Sequence, residues 1–219
     1  MGLQRLATLP NSRRALSQTV GDAEPAPMNV TDSNPRAAAP SAYFTRFWSE
    51  TLPWDGFLKS VALKADLWHS YAGRAKLSAD VLARLSALPG ARKVLILTED
   101  WCGDAIRSTP TIAAMAAASD LVEVRVLDVE QHPEALDGRL TRGARAIPIV
   151  VVFDENGAEI GAWGPRPAEL QAILRKKISA EGPPNAETKG EFYAPIMAWY
   201  AKNRGQAVAE ELLMILERG

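Results

Sequence analysis

The one cysteine of the chain, Cys102, lies in the stretch Thr98-Glu99-Asp100-Trp101-Cys102-Gly103-Asp104-Ala105. An apolar run, Val94-Leu95-Ile96-Leu97, precedes this stretch, and an alanine-rich segment with helical character follows it. A buried strand ending in a tight turn leaves the first N–H groups of the next helix unpaired. Those groups and the helix dipole favour an anion, so a thiol placed there is a thiolate candidate. Gly103 suits a tight turn, and Trp101 can roof the thiol. Glu99, Asp100 and Asp104 oppose a second negative charge, against the helix terminus and Arg107, and the balance predicts a modestly acidified thiol. Asp104 is also a favourable first-turn residue whatever the chemistry. A lone cysteine is otherwise read as a small buried hydrophobe.

The elements that must hold this turn are legible in order. From Pro53, residues Trp54, Phe57, Leu58, Val61, Leu67, Trp68 and Tyr71 recur at spacings of three and four and predict an amphipathic helix. Ser78 is placed to cap a second helix carrying Val81, Leu82, Leu85 and Leu88. Residues 93–98 predict a central strand and 105–119 its crossover helix, bent near Pro110. Leu121–Leu127 alternates like a strand at a sheet edge. Residues 134–143 predict a short helix ended by Gly143. Ile149–Asp154 is apolar throughout and reads as central, and Asn156-Gly157 turns the chain back as Glu159–Trp163. A helix over 167–178 closes the core, and two helical stretches with Trp199 and Leu212 on their apolar faces follow.

Three marks carry a family resemblance. Trp101-Cys102-Gly103-Asp104 after an apolar strand resembles the active-site turn of the thioredoxin superfamily, whose usual form is Trp-Cys-Gly-Pro-Cys. Pro110, eight residues beyond Cys102, matches the proline that kinks that family's active-site helix. Ile147-Pro148, heading an apolar run, matches its cis-proline. Trp163-Gly164-Pro165-Arg166-Pro167 and the tail from Trp199-Tyr200 to Glu211-Leu212 are further similar to a bacterial subfamily that carries Trp-Cys-Gly-Asp. The resemblance implies an α/β thioredoxin fold, a mixed sheet of about four strands flanked by helices. It implies a core of about residues 91–180, with helical extensions at 53–89 and 187–218 inside one domain, 41–219. Residues 1–40, rich in Pro, Ser and Ala, read as a disordered or presequence-like tail.

The resemblance also implies roles. Cys102 and Pro148 are the catalytic pair, and Ile147 and Trp101 meet substrate. Glu99 or Asp100 handle the proton, because Ile96 stands where the family buries an acid. The second redox cysteine is replaced by Ala105, so turnover requires an external low-molecular-weight thiol such as glutathione. Two functions follow: a monothiol oxidoreductase acting on protein disulfides or thiol adducts, or a redox-inactive module binding peptides or partner proteins in the Cys102/Pro148 groove. No other cofactor is expected, and no metal, since one cysteine and two histidines lack ligand spacing. A net charge of −1 argues against a nucleic-acid partner. No apolar run approaches the roughly 18 residues of a membrane span. A single cysteine requires no oxidising compartment, so the expected location is the cytoplasm.

Overall fold

The computed structural model describes residues 40–218; the expected tail over residues 1–40 lies almost entirely outside them. The apolar run becomes β2 (Arg92–Thr98), the middle of a five-stranded sheet. It pairs in parallel with β3 (Val122–Asp128), from Arg92 opposite Val122 to Thr98 opposite Asp128. On its other side it runs antiparallel to β4 (Ile149–Phe153), which pairs with β5 (Glu159–Trp163) through the Asn156-Gly157 turn. The crossover between β2 and β3 is α5 (Gly103–Ala117), with Pro110 inside it. This is the expected mixed α/β sheet with one difference. β3 is not an edge, because β1 (Leu52–Pro53) pairs antiparallel to it, Leu52 opposite Val126. Two residues containing a proline carry no strand signal, and an edge is where a proline is tolerated.

Alternation along the central strands splits the core into two layers. Val94, Ile96, Val124, Val126, Val150 and Val152 face one way and pack with Phe57, Trp68, Leu85, Ile106 and Leu212. Leu95, Leu97, Leu127, Ile149, Val151 and Phe153 face the other way, under Phe47 and Leu136. Phe47 closes α1 (Ala42–Phe47).

Two expected helices differ. The stretch from Trp54 to Tyr71 is broken into α2 (Trp54–Ser60) and α3 (Ala65–Arg74). The break has a cause, because the Asp100 carboxylate accepts the N–H groups of Ala62 and Leu63 at 2.9 and 2.7 Å. Residues 134–143 form only a 3-10 turn, Pro133–Leu136. Beyond it Arg139 is drawn down to the sheet, pairing with Glu159 at 2.7 Å and lying over the Tyr43 ring. The helix capped by Ser78, α4 (Ala79–Ser86), forms as its sequence predicts.

The C-terminal helices complete the layer under Val94 and Ile96. α6 (Ala168–Glu181) and α7 (Lys189–Asn203) build a small core of Leu170, Leu174, Phe192, Ile196 and Tyr200. α8 (Gln206–Leu216) buries Val208, Leu212, Leu213 and Leu216 against the sheet. Leu212 docks as expected, whereas Trp199 is only half-buried and Tyr200 is the anchor of α7. Between the helices, Gly205 has φ +85°, and a Cβ there would run into the Thr111 side chain of α5. At the end of α8 the buried Arg92 donates to the carbonyls of Leu216 and Arg218, both at 2.7 Å.

Candidate active site

Cys102 occupies the N-cap of α5, with β-region backbone (φ −73°, ψ 113°). The residue is 5% exposed. Its Sγ donates to the Ile147 carbonyl at 3.4 Å, and the Ile147–Pro148 bond that follows is cis. The turn and the β4 entry are 45 residues apart in sequence, and the parallel–antiparallel centre of the sheet brings them together. The expectation of an acidified thiol is reversed. Burial pushes the Cys102 thiol up, and the backbone N–H groups of Ala105 and Asp104 oppose this. The charge of Asp104 raises it further, and that of Arg166 lowers it. Ala105, at the resolving position, is fully buried. Gly103 opens α5 without a left-handed φ, so its turn role is not conformational; its carbonyl accepts Arg107 Nη1 at 2.7 Å.

Asp104 is gripped from two distant segments. Its Oδ2 lies 2.5 Å from Arg166 Nη2, and its Oδ1 accepts the Tyr200 hydroxyl at 2.9 Å. Both charged side chains are largely withdrawn from water, at 17% and 15% exposure. The segment carrying Arg166 is itself held. Glu211 of α8 accepts Trp163 Nε1 at 2.6 Å and the Ala168 N–H at 2.8 Å, one on each side of it. Arg166, Tyr200 and Glu211 were not among the expected site residues. Their signal was the joint appearance of three motifs, Trp-Cys-Gly-Asp, Trp-Gly-Pro-Arg-Pro and the aromatic-acidic tail.

The other residues of the turn face elsewhere. Trp101 is 45% exposed, with its indole N–H on Glu130 at 2.9 Å. Asp100 caps the α2–α3 link, and its carbonyl accepts Trp68 Nε1 at 2.7 Å. Glu99 Oε1 accepts the Glu130 N–H at 2.6 Å, beside Asp128. Burial, with Asp128 and Glu130 nearby, pushes the Glu99 carboxyl up to about 7. Glu99 and Asp100 line a cavity of about 330 Å³ with Glu50, Phe57, Asp128 and His132. Cys102 is not among the residues that line it, and both carboxylates accept backbone N–H groups of other segments. Among the described residues no cluster of His, Cys, Asp and Glu is placed to hold a metal ion, and no helix is long and apolar enough to cross a membrane.

Comparison with solved structures places this arrangement. A protein of unknown function from Pseudomonas aeruginosa superposes with a TM-score of 0.62 at 18% identity, over 81% of this chain and 98% of that one. An HIV epitope scaffold gives 0.61 at 18% identity, over 80% and 97%. At such identities the likeness is one of fold. No curated protein matches the chain. A family model described as thioredoxin matches residues 53–181, from the start of α2 to the end of α6 and so across the turn, the cis-proline and every strand but part of β1. That match spans more than half of the chain and takes in a mixed sheet flanked by helices, and the chain belongs to the thioredoxin family.

Proposed function

We propose that this chain is a monothiol oxidoreductase acting through Cys102 on protein disulfides or thiol adducts. The observation that carries the reading is the thiol at the head of α5, 3.4 Å from the carbonyl that precedes the cis-proline. A substrate segment extended along Ile147 and Pro148, with Trp101 at its side, sets a disulfide against that sulfur by strand-like pairing. The Cys102 thiolate attacks one sulfur, the substrate S–S bond breaks, and the leaving thiolate takes a proton from water. A low-molecular-weight thiol such as glutathione then attacks the mixed disulfide as its thiolate, releasing Cys102 and carrying away the oxidised sulfur as a disulfide. For a glutathione adduct one small thiol becomes half of a disulfide as one substrate thiol is released; a protein disulfide takes two small thiols, which leave together as their disulfide while both substrate sulfurs become thiols. Neither Glu99 nor Asp100 takes part in the step as written. The reading assumes a cytoplasmic setting, where small thiols are reduced.

One observation favours a second reading. The thiol is buried and pushed up, and Ala105 supplies no resolving sulfur. Those features suit a redox-inactive module that holds a peptide or partner in the Cys102/Pro148 groove. A glutathione-coupled assay on a peptide–glutathione mixed disulfide separates the two. The oxidoreductase reading expects turnover by the wild type and none by Cys102→Ser. Equal rates for both proteins, or none for either while peptide binding persists, give the function to the binding module.

A further inference from the structure

The ion pair that follows the thiol along α5 is built from parts of the chain far apart in sequence. Asp104 belongs to the cysteine turn, Arg166 to the β5–α6 connection and Tyr200 to α7, and Glu211 of α8 clamps the connection on both sides of Arg166. A first-turn aspartate on an exposed helix needs none of these partners, and water would serve it. Here the carboxylate stands two residues after the one thiol in the first turn of α5, and it and the guanidinium are both largely buried, where water mutes charges less.

We propose that Asp104 and Arg166 are a matched pair of positioning charges that sets the reactivity of Cys102, and that the C-terminal helices hold the pair closed through Tyr200 and Glu211. The inference rests on Cys102 being the nucleophile proposed above. The two charges act on the thiol with opposite sign, Asp104 disfavouring the thiolate and Arg166 favouring it, while burial sets the baseline. Closed, the pair sets the two charges against each other, Asp104 the stronger of the two, on top of the burial that pushes the thiol up. Weakening the carboxylate leaves Arg166 as an uncompensated cation and raises the thiolate fraction. Weakening the guanidinium does the reverse.

The test uses the full chain and the rate of Cys102 with a neutral dipyridyl disulfide across pH. A one-unit fall in thiol pKa raises the thiolate fraction about tenfold, but the less basic thiolate is about threefold less nucleophilic, so the net gain at pH 7 is about threefold. Asp104→Asn keeps an acceptor for Tyr200 and is expected to react about threefold faster, with the pH profile moved down. Arg166→Gln is expected to react about threefold slower, with the profile moved up. The double variant returns close to the wild type, and Arg166→Lys, which keeps the charge, stays near it. A purely structural role would loosen the site and speed both single variants. That outcome, or no change in either, overturns the proposal. If Asp104→Asn fails to fold, Arg166→Gln decides alone, slowing in support and acceleration against. Because the probe needs no physiological substrate, opposite shifts without turnover in the glutathione assay sink the proposed function and leave the charge pair standing. Turnover with same-direction shifts does the opposite.

Discussion

The two flanks of the turn at Thr98–Ala105 are built on opposite plans. The outer flank, Glu99 to Trp101, borders a cavity, carries a half-exposed indole and spends its acids on backbone N–H groups of neighbouring segments. The inner flank, Cys102 to Ala105, is packed, and its single acid is paired with Arg166 and Tyr200. Three carboxylates that look equivalent around one cysteine therefore do different work. Two tie the leading helices and the β3 loop to the turn, and Asp104 alone of the three is paired with an arginine and a tyrosine. Proximity in sequence is a poor guide to electrostatic influence once a turn separates a wet side from a dry one.

The sharpest test of the contrast adds a thiol to the inner flank. Ala105 lies one helical turn after Cys102, and residues three apart share a face. Ala105→Cys is expected to form a disulfide with Cys102 and to gain dithiol-driven reduction of insulin, followed by turbidity, where the wild type shows none without an added small thiol. A disulfide that forms without activity would mean that the dry setting itself, not the missing sulfur, limits the chemistry. Next in size is the tail that closes this flank. Gly205→Ala forces a side chain into a left-handed conformation and against Thr111. We expect a loss of roughly 2–4 kcal/mol in urea unfolding, from backbone strain and overpacking together. A cost below about 0.5 kcal/mol, the ordinary scale of surface substitutions, would show that α7 and α8 are not tightly seated.

The outer flank should answer to pH instead. The Glu99 carboxyl is pushed up to about 7 in the folded chain, from an ordinary value of 4.5. Between those values the folded state holds more protons than the unfolded, so stability falls as pH rises through that window. Asp128 is held below its ordinary 3.8 and contributes stability that is lost only at lower pH. Glu99→Gln keeps the acceptor for the Glu130 N–H and is expected to flatten the upper slope, gaining roughly 1–2 kcal/mol at pH 8 after screening is allowed for. An unchanged slope would place the titration elsewhere. The smallest expected effect is that of Trp101→Ala, within about 0.5 kcal/mol of the wild type in stability, as for other surface changes. A loss of 2 kcal/mol would make the outer flank as tightly built as the inner one.

Much of the scaffold was legible because local pattern and tertiary demand agree there. Val94–Leu97 and Ile149–Phe153 are uninterrupted apolar runs and became the central strands. Asn156-Gly157 turned the chain, Ser78 capped a helix, and Pro148 took the cis form beside Cys102. What misled was governed by partners far away in sequence. The helix from Trp54 breaks because Asp100, 38 residues on from Ala62, captures the N–H groups there. Residues 134–143 stay irregular because Arg139 has Glu159 and the Tyr43 ring to reach. The thiol is pushed up because it is buried, its sulfur against the carbonyl before the cis-proline, and a helix-terminus argument counts the dipole but not the burial. Asp104 read as a routine first-turn acid for the same reason, since its hydroxyl partner lies 96 residues away.

Arg92 carries a consequence in time. Its guanidinium is buried only when the carbonyls of Leu216 and Arg218 reach it, and Leu216 lies 124 residues downstream. At a synthesis rate of roughly 5–20 residues per second, β2 leaves the ribosome about 6–25 s before α8 can cover it. Throughout that interval the Val94–Ile96 side of the nascent sheet lacks its α8 cover, and a buried cation waits for its acceptors. Assembly of this layer therefore waits on a segment made well after the sheet it covers, and the Arg92 guanidinium stays in water until then.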